Sequence, residues 1–207
     1  MARGIMPDYL KSEFVKIINR NYFSKEANPI REKAFNHFTE QGLPNRKDEN
    51  WRFTNLSALK KSSFRIPEKN DAPKTDHNIS EHELESLHTI VIYNGHFQEN
   101  LSPIPNGLRV VSNQEYMEQK DWAVLQPTKS SFDLLNTAFM DSGVSLIVDK
   151  GVEIKEPIRL LFICDSNEKL MTTPRIHVDL EESSSLSFFE QSPRIISNSI
   201  VVLIRKY

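Results

Sequence analysis

Histidines and glutamates crowd one stretch of the chain and are the first residues to suggest metal chemistry. Imidazole and carboxylate groups together can bind a borderline metal ion. His82 and His88 are six positions apart, however, so they would lie on different faces of a helix. The spacing favours a solvated polar region over a metal site. The full set is His77, His82, His88 and His96, with Glu81, Glu83 and Glu85 between them.

A thiolate and one further imidazole are the next groups with possible chemistry. Cys164 is the only cysteine, which excludes an internal disulfide and a site built from several thiolates of this chain. It follows an apolar run at residues 160–163, where a cysteine usually behaves as a small hydrophobic core residue. His177 lies beside Arg175 in a predicted strand, and a lone strand histidine is more often structural than catalytic.

Basic and aromatic residues alternate between positions 46 and 65, as they do in single-stranded nucleic acid sites. Asp48 and Glu49 lie inside the same segment. We therefore prefer an internal charge network around a packed aromatic anchor, and a nucleic-acid-binding helical module remains an alternative. The residues concerned are Arg46, Lys47, Trp51, Arg52, Phe53, Lys60, Lys61, Phe64 and Arg65.

Acidic residues late in the chain raise a second alternative, a carbohydrate-active β-helix enzyme. Glycoside hydrolysis needs two carboxylates on opposite sides of the scissile bond, which consecutive residues of one turn do not provide. The sequence also has no glycine-rich phosphate-binding loop. We therefore predict no catalytic, cofactor-binding or metal-binding residue. The acidic residues are Asp179, Glu181, Glu182 and Glu190.

The composition is that of a soluble globular protein. Of 207 residues, 38% are hydrophobic and 26% are charged, and the net charge is −2. Such a balance does not favour nucleic acid or an anionic membrane as a partner. The N-terminus lacks the apolar core of a secretory signal, and no apolar run approaches the roughly 18 residues of a membrane span. We expect a cytoplasmic location, or a plastid or other organelle stroma in a eukaryote.

Two amphipathic helices are predicted near the N-terminus. Asp8 is the proposed cap of the first, whose apolar residues recur every four positions. Asn28 is the proposed cap of the second, Pro29 suits its first turn, and Gly42 ends it in a left-handed conformation. The predicted apolar faces are Leu10, Phe14, Ile18 and Tyr22 in the first helix, and Ile30, Ala34 and Phe38 in the second.

A rigid joint follows at residues 42–56. Pro44 fixes the backbone just beyond Gly42, and we expect Trp51 and Phe53 to anchor what comes after it. The helical region is predicted to span residues 1–66. A linker rich in Ser, Pro, Asp, Asn and Lys occupies residues 67–80.

Residues 81–140 are predicted to form a mixed hairpin and helical segment. A capping box at residues 80–83 opens a short helix. The β-rich run at residues 89–93 is followed by Asn94 and Gly95, a tight-turn signal, so a hairpin with His96 and Phe97 is expected. Two further helices are predicted at residues 114–125 and 132–139.

Short strands dominate residues 141–207. At intervals of roughly ten residues, strands without intervening helices suggest a sandwich, a barrel or a β-solenoid. Residues 199–207, the apolar end of the chain, are predicted to form an unpaired strand edge. Either a partner, which includes a second copy of the chain, covers this edge, or a longer chain continues from it. Strands are predicted at 144–148, 152–154, 158–164, 175–178, 186–189 and 200–204, with turns at 149–151, 156–157, 165–167 and 181–183.

Several stretches, in this order, resemble the N-terminal half of SufD-type members of the SufB/SufD family of iron–sulfur cluster assembly proteins. The first is residues 42–56, which matches the family signature Gly-Leu-Pro-x-Arg-x-Asp-Glu-x-Trp-x-x-Thr-x-Leu. The matched positions are Gly42, Leu43, Pro44, Arg46, Asp48, Glu49, Trp51, Thr54 and Leu56. The later stretches are residues 93–95 with 101–102, 135–139, 148–151, 157–158 and 174–175.

The resemblance implies an α+β protein in which a helical N-terminal domain is followed by the first turns of a right-handed parallel β-helix. It implies a scaffold subunit, not an enzyme, that works with a SufB-like paralogue and a SufC-like ATPase. An iron–sulfur cluster would be assembled transiently in that complex, with none bound by this chain alone. The family's contact and cluster residues lie mainly in a second half that this sequence lacks, so no site residue is carried over.

Overall fold

Helices come first and strands follow, as the sequence predicts. The computed structural model describes residues 7–20, 25–68, 88–119, 130–166, 168–192, 200–201 and 204–206. The capping box at residues 80–83 and nearly all of the predicted linker lie outside these ranges. No helix within them is both long and apolar enough to cross a membrane.

The first two helices are α1 (Tyr9–Asn19) and α2 (Asn28–Gln41). Asp8 stands at the N-cap of α1, but its side chain makes no capping hydrogen bond. The prediction that Asn28 caps α2 is wrong. A 3₁₀ turn, Lys25–Ala27, runs directly into α2, so Asn28 is already helical and Ala27 occupies the cap position.

The joint after α2 is partly as predicted. Gly42 has a φ of +70°, and its N–H donates to the Phe38 carbonyl at 2.6 Å, which ends the helix. Trp51 packs on Phe132 with ring centroids 4.7 Å apart. Phe53, the other predicted anchor, is 92% exposed, so for this residue the prediction is wrong. A short helix, α3 (Ser57–Lys61), follows.

The hairpin is confirmed. Strands β1 (Thr89–Tyr93) and β2 (His96–Phe97) pair antiparallel, and Asn94 and Gly95 both have the positive φ of a tight hairpin turn. Strand β3 (Leu108–Ser112), which was not predicted, leads into α4 (Asn113–Glu118). The start of the helix predicted at 114–125 is confirmed, but its predicted length is wrong, because the helix ends at Glu118 and Gln119 is its C-cap. Helix α5 (Ser131–Phe139) confirms the helix predicted at 132–139.

The remaining strands agree with the predicted series, with three differences. A short strand at Met171–Thr172 was not predicted. Glu156 and Pro157 do not form a turn; they lie inside one long strand whose register with its neighbour shifts between Ile154 and Ile158. Proline has no N–H to donate, and such an irregularity is where a strand tolerates it. The strand predicted at 200–204 is two short strands. The series is β4 (Gly143–Val148), β5 (Glu153–Ile163), β6 (Met171–Thr172), β7 (Arg175–Leu180), β8 (Ser185–Gln191), β9 (Ile200–Val201) and β10 (Ile204–Lys206).

Parallel pairing joins β1 to β5 and, later in the chain, joins strands that are three apart in sequence. β7 pairs with both β4 and β10, β8 pairs with β5, and β9 pairs with β6, all in parallel. The resulting sheets have the orders β2-β1-β5-β8, β10-β7-β4-β3 and β6-β9. Aliphatic side chains of the two four-stranded sheets share one core, which includes Ile90, Leu146, Leu160 and Ile176.

A second core ties the helices to the start of the strand region. It contains Leu10 and Phe38 from α1 and α2, Leu135 and Phe139 from α5, and Met171 from β6. Phe14 of α1 also packs its ring edge against Phe139. Helix α5 is therefore held by the N-terminal helices, and this fixes the polar residues that it presents elsewhere.

Candidate functional site

Buried polar side chains lie on the outer face of the sheet β10-β7-β4-β3. Side chains alternate along a strand, and Ile176 and Val178 of β7 enter the aliphatic core, so their neighbours face the opposite way. That opposite face is covered by α4 and α5. We call the set the polar cluster: Asn113, Tyr116, Asp133, Asn136, Thr137, Ser145, Arg175, His177 and Asp179.

Arg175 is the centre of one half of the polar cluster and is fully buried. Its Nε donates to Asn136 Oδ1 at 3.0 Å, and its Nη2 donates to Thr137 Oγ1 at 2.7 Å. Asp133 forms an ion pair with the same guanidinium at 3.5 Å. Burial lowers the pKa of Arg175 to about 10, and the charge of Asp133 opposes that shift. The guanidinium is therefore still charged at neutral pH.

Backbone groups around Arg175 are held by the same side chains. The Asn136 amide donates to the carbonyls of Thr173 and Pro174, at 3.2 and 3.1 Å. The Asn113 amide donates to the Arg175 carbonyl at 2.8 Å. Helices α4 and α5 are thus both fastened to the start of β7. The arrangement therefore positions backbone.

Tyr116, His177 and Asp179 form the other half of the polar cluster. The Tyr116 hydroxyl donates to Asp179 Oδ2 at 2.8 Å, and His177 Nε2 lies 3.0 Å from the same hydroxyl oxygen. Because a hydroxyl has one proton, His177 must donate to it from Nε2. Burial, and then the hydrogen bond to Asp179, raise the pKa of Tyr116 above its ordinary value. Tyr116 therefore stays protonated at neutral pH and positions its two neighbours.

A cavity of about 510 Å³ adjoins the polar cluster. Its lining includes His96, Glu99, Asn113 and Asp141. The Asp141 side chain is only 4% exposed and is ion-paired with Arg20 at 3.2 Å. Burial raises the pKa of Asp141, while the neighbouring charges of His96, Arg20 and Arg31 act in the opposite direction.

Arg20 and Arg31 connect Asp141 to the helical region. Arg20 also donates to the carbonyls of Ile66 and Pro67, at 3.0 and 2.7 Å. Arg31 of α2 donates to the Ala138 carbonyl of α5 at 3.2 Å. Burial lowers the pKa of Arg31 to about 10, against the effect of Asp141. The carboxyl of Asp141 thus lies where α1, α2 and α5 meet the start of β4.

We expect Asp141→Asn to change how stability depends on pH. The folded chain holds the Asp141 proton to a higher pH than the unfolded chain, whose carboxyl titrates near 3.8. The stabilisation is therefore complete below that value and is lost as pH rises through the folded pKa. Urea unfolding at a series of pH values should show this loss in the parent chain and not in Asp141→Asn. Glu99→Gln, an exposed carboxyl of the same cavity, is the control, and parallel profiles for the parent and Asp141→Asn would contradict the assignment.

Within the described part of the chain, the residues singled out for metal or thiol chemistry do not come together. His77, His82, Glu81, Glu83 and Glu85 lie outside the described residues. His88 pairs with Glu156 at 3.3 Å, and His96 lines the cavity. Among the residues that the structure describes, no three His, Cys, Asp or Glu side chains are placed to hold a metal ion. Cys164 follows the end of β5 and is half-buried, with its Sγ 3.7 Å from Thr172 Oγ1, so its placement within a core strand is wrong.

The basic and aromatic segment is divided between core and surface. Phe64 is buried, whereas Phe53 is exposed. Arg65 forms its ion pair with Glu168, outside the segment, so at this position the predicted internal charge network is wrong. Asp48 accepts a hydrogen bond from the backbone N–H of Asn45 at 2.8 Å.

The late acidic residues serve local structure. Asp179 accepts the Tyr116 hydroxyl, while Glu181 accepts the Lys150 backbone N–H at 3.0 Å. Glu182 pairs with the Lys150 ammonium. Glu190 lies on β8, in a different sheet from Asp179. The arrangement gives no support to an enzyme that uses Asp179 and Glu190 as opposed carboxylates.

Sequence reasoning named Arg175, His177 and Asp179 separately but missed the polar cluster that they form with α4 and α5. Asn136, Thr137 and Arg175 lie in two of the stretches used for the family resemblance, at 135–139 and 174–175. The available signal was two adjacent polar residues, Asn136 and Thr137, inside an otherwise apolar helix. To interpret these two residues as part of a buried cluster, one would have to know that an arginine from a strand reaches the helix.

Comparisons with known proteins agree on one family. A family model described as the SufBD protein N-terminal region matches residues 9–160. The chain is also similar to an iron–sulfur cluster assembly SufBD family protein of Synechocystis sp., with 26% identity over 230 aligned residues. That alignment covers 96% of this chain and 49% of the relative. The chain therefore spans about half the length of the curated relative that it matches.

Proposed function

The chain belongs to the SufB/SufD family, and we propose that it is a SufD-like scaffold subunit, not an enzyme, in iron–sulfur cluster assembly. The observation that carries this proposal is the family match over residues 9–160. The polar cluster supports it, because the hydrogen bonds of Asn136, Arg175 and Tyr116 hold helices to a sheet. In this proposal the iron–sulfur cluster is cargo of the assembly, and the chain alone binds no iron–sulfur cluster.

We further propose that residues 143–206 are the first turns of a right-handed parallel β-helix. The parallel pairing of strands three apart supports this, since one turn of such a helix contributes one strand to each of three sheets. The curated relative is about twice as long as this chain.

A SufB-like paralogue and a SufC-like ATPase are the proposed partners. Strands β8 and β10 end the described order of their sheets, which supports the addition of a further strand at that side. A second copy of the chain could pair there as a homodimer. In this proposal, the assembly operates in the cytoplasm, or in a plastid or other organelle stroma.

Native mass spectrometry tests the proposal directly. The chain is mixed with the SufB-like and SufC-like subunits of its source, and we expect a complex that contains all three. Gly143→Ala, which the close approach of the Arg175 backbone is expected to destabilise, is the control and should form less of the complex. Finding the chain unbound in every mixture would contradict the partnership. Stoichiometric iron or sulfide on the purified chain alone would contradict the assignment of cluster chemistry to the assembly.

A further inference from the structure

Phe53 is the most exposed large hydrophobic side chain in the described residues, at 92%. The guanidinium of Arg52 lies over its ring, 5.5 Å from the centroid. An arginine over an aromatic face makes a favourable cation–π contact, and it also leaves a positive charge beside an apolar ring. A partner with a negative charge next to an apolar side chain would complement both groups.

The backbone that carries Phe53 is fixed on both sides. Trp51 packs on Phe132 of α5, and Leu43 and Leu59 are buried. Two turns are closed by side chains: Asp48 accepts the N–H of Asn45 at 2.8 Å, and the Asn55 side chain accepts the N–H of Ser57 at 3.0 Å. A ring held in solvent by a fixed backbone is preorganised for contact and loses little freedom on binding.

The surface around Phe53 is basic in a chain that is slightly acidic. Residues 45–61 contain five Lys and Arg and two Asp and Glu, a net charge of +3, whereas the whole chain has a net charge of −2. We call this the basic surface and define it by its exposed or half-buried members. They are Arg46, Lys47, Arg52, Phe53, Lys60 and Lys61.

Two members of the basic surface line a groove of about 230 Å³. Arg46 and Lys60 line it, together with the hydrogen-bonding side chains of Asn45, Thr54 and Asn55. Small-molecule sites usually enclose about 300–1,000 Å³, so this groove is better matched to one or two side chains of a longer ligand.

We propose that the basic surface binds an acidic peptide segment of a partner protein. An apolar side chain of that segment packs on Phe53, and neighbouring carboxylates face Arg46 and Lys60. Arginine pairs well with carboxylates because its planar group can donate two parallel hydrogen bonds. The proposal rests on the exposure, charge and groove, and it does not depend on the scaffold role.

A peptide fits these observations better than a nucleic acid does. Single-stranded nucleic acid sites stack successive bases on several aromatic rings. Residues 46–65 contain three aromatic rings, of which Trp51 packs on Phe132 and Phe64 is buried. Only Phe53 is therefore exposed enough to stack on a base.

Fluorescence anisotropy with the full chain and a short labelled peptide of alternating glutamate and leucine tests the proposal. We expect Phe53→Ser to weaken binding about tenfold, as partial loss of a phenylalanine contact would. Arg46→Ser should weaken binding and make it less sensitive to salt. Val15→Ser removes a hydrophobic side chain that is 60% exposed on α1 and should change nothing. Lys11→Ser, at an exposed position of α1, is the matched control for charge.

Each remaining outcome would overturn the proposal. These are failure of the peptide to bind, equal affinities for Phe53→Ser and Val15→Ser, and displacement of the peptide by a more tightly bound oligothymidylate. The last result would assign the surface to nucleic acid. Because both mutated positions of the basic surface are exposed, urea midpoints should match the parent chain, and a loss of binding then reports the surface and not the fold.

Discussion

Gly143→Ala is expected to destabilise the chain more than any other single-methyl addition at a described glycine. A Cβ at this position would lie 2.0 Å from the carbonyl oxygen and 2.5 Å from the nitrogen of Arg175. Both atoms are backbone in β7, which pairs with β4 in register at this residue. The φ of +104° adds strain for any side chain. We expect a loss of at least about 3 kcal/mol in the free energy of unfolding.

Gly151→Ala separates the two causes of that loss. Gly151 also has a positive φ, +74°, but a Cβ there would meet no atom within 4 Å. It should therefore lose only about 1 kcal/mol, the cost of a left-handed conformation. Urea unfolding followed by far-UV circular dichroism measures both variants. Equal losses would show that the approach of β7 to Gly143 is not as close as described.

The turn residues of the sequence were enough to predict the hairpin and the end of α2, but not the contact between Gly143 and the Arg175 backbone. Asn94 and Gly95 predict the hairpin because few residue pairs adopt its two positive φ values. Gly42 predicts the end of α2 for a similar reason. Gly143 could not be recognised in this way, because what it contacts, the Arg175 backbone, is contributed by a strand that follows after β5 and β6.

Errors in the sequence reading arose where tertiary packing chose between similar residues. Trp51 and Phe53 are both aromatic and two positions apart, and only Trp51 meets Phe132. Pro157 resembles a turn residue, yet β5 continues through it because the pairing with β8 is already irregular there.

The polar cluster was hidden for a related reason. A strand pattern places Arg175, His177 and Asp179 on one face of β7 but does not say whether that face is covered. Helices α4 and α5 cover it. The placement of α5 depends on the second core, which includes Phe38 and Phe139, and Met117 of α4 packs in a separate cluster with Met140 and Ile147. A buried arginine is thus predictable only after the helices have been docked.

Arg175→Met is expected to cost about 3–5 kcal/mol, the usual effect of removing one partner of a buried ion pair. Methionine retains the volume of the aliphatic stem but leaves the buried carboxylate of Asp133 without this cation. Asn136 Oδ1 and Thr137 Oγ1 also lose a donor. Urea unfolding measures the loss. Arg109→Met is the control, because its ion pair with Asp149 is more than half exposed on both sides and should be worth under about 1 kcal/mol.

The charge of Asp133 can be separated from the hydrogen bonds by a double-mutant cycle. If an unpaired buried carboxylate causes most of the loss, adding Asp133→Asn to Arg175→Met should recover part of it, with a coupling energy of about 1–3 kcal/mol. Additive effects would assign the loss to Asn136 and Thr137 instead. A loss for Arg175→Met no larger than that for Arg109→Met would contradict both explanations, since it would mean that α5 stays on the sheet without the arginine.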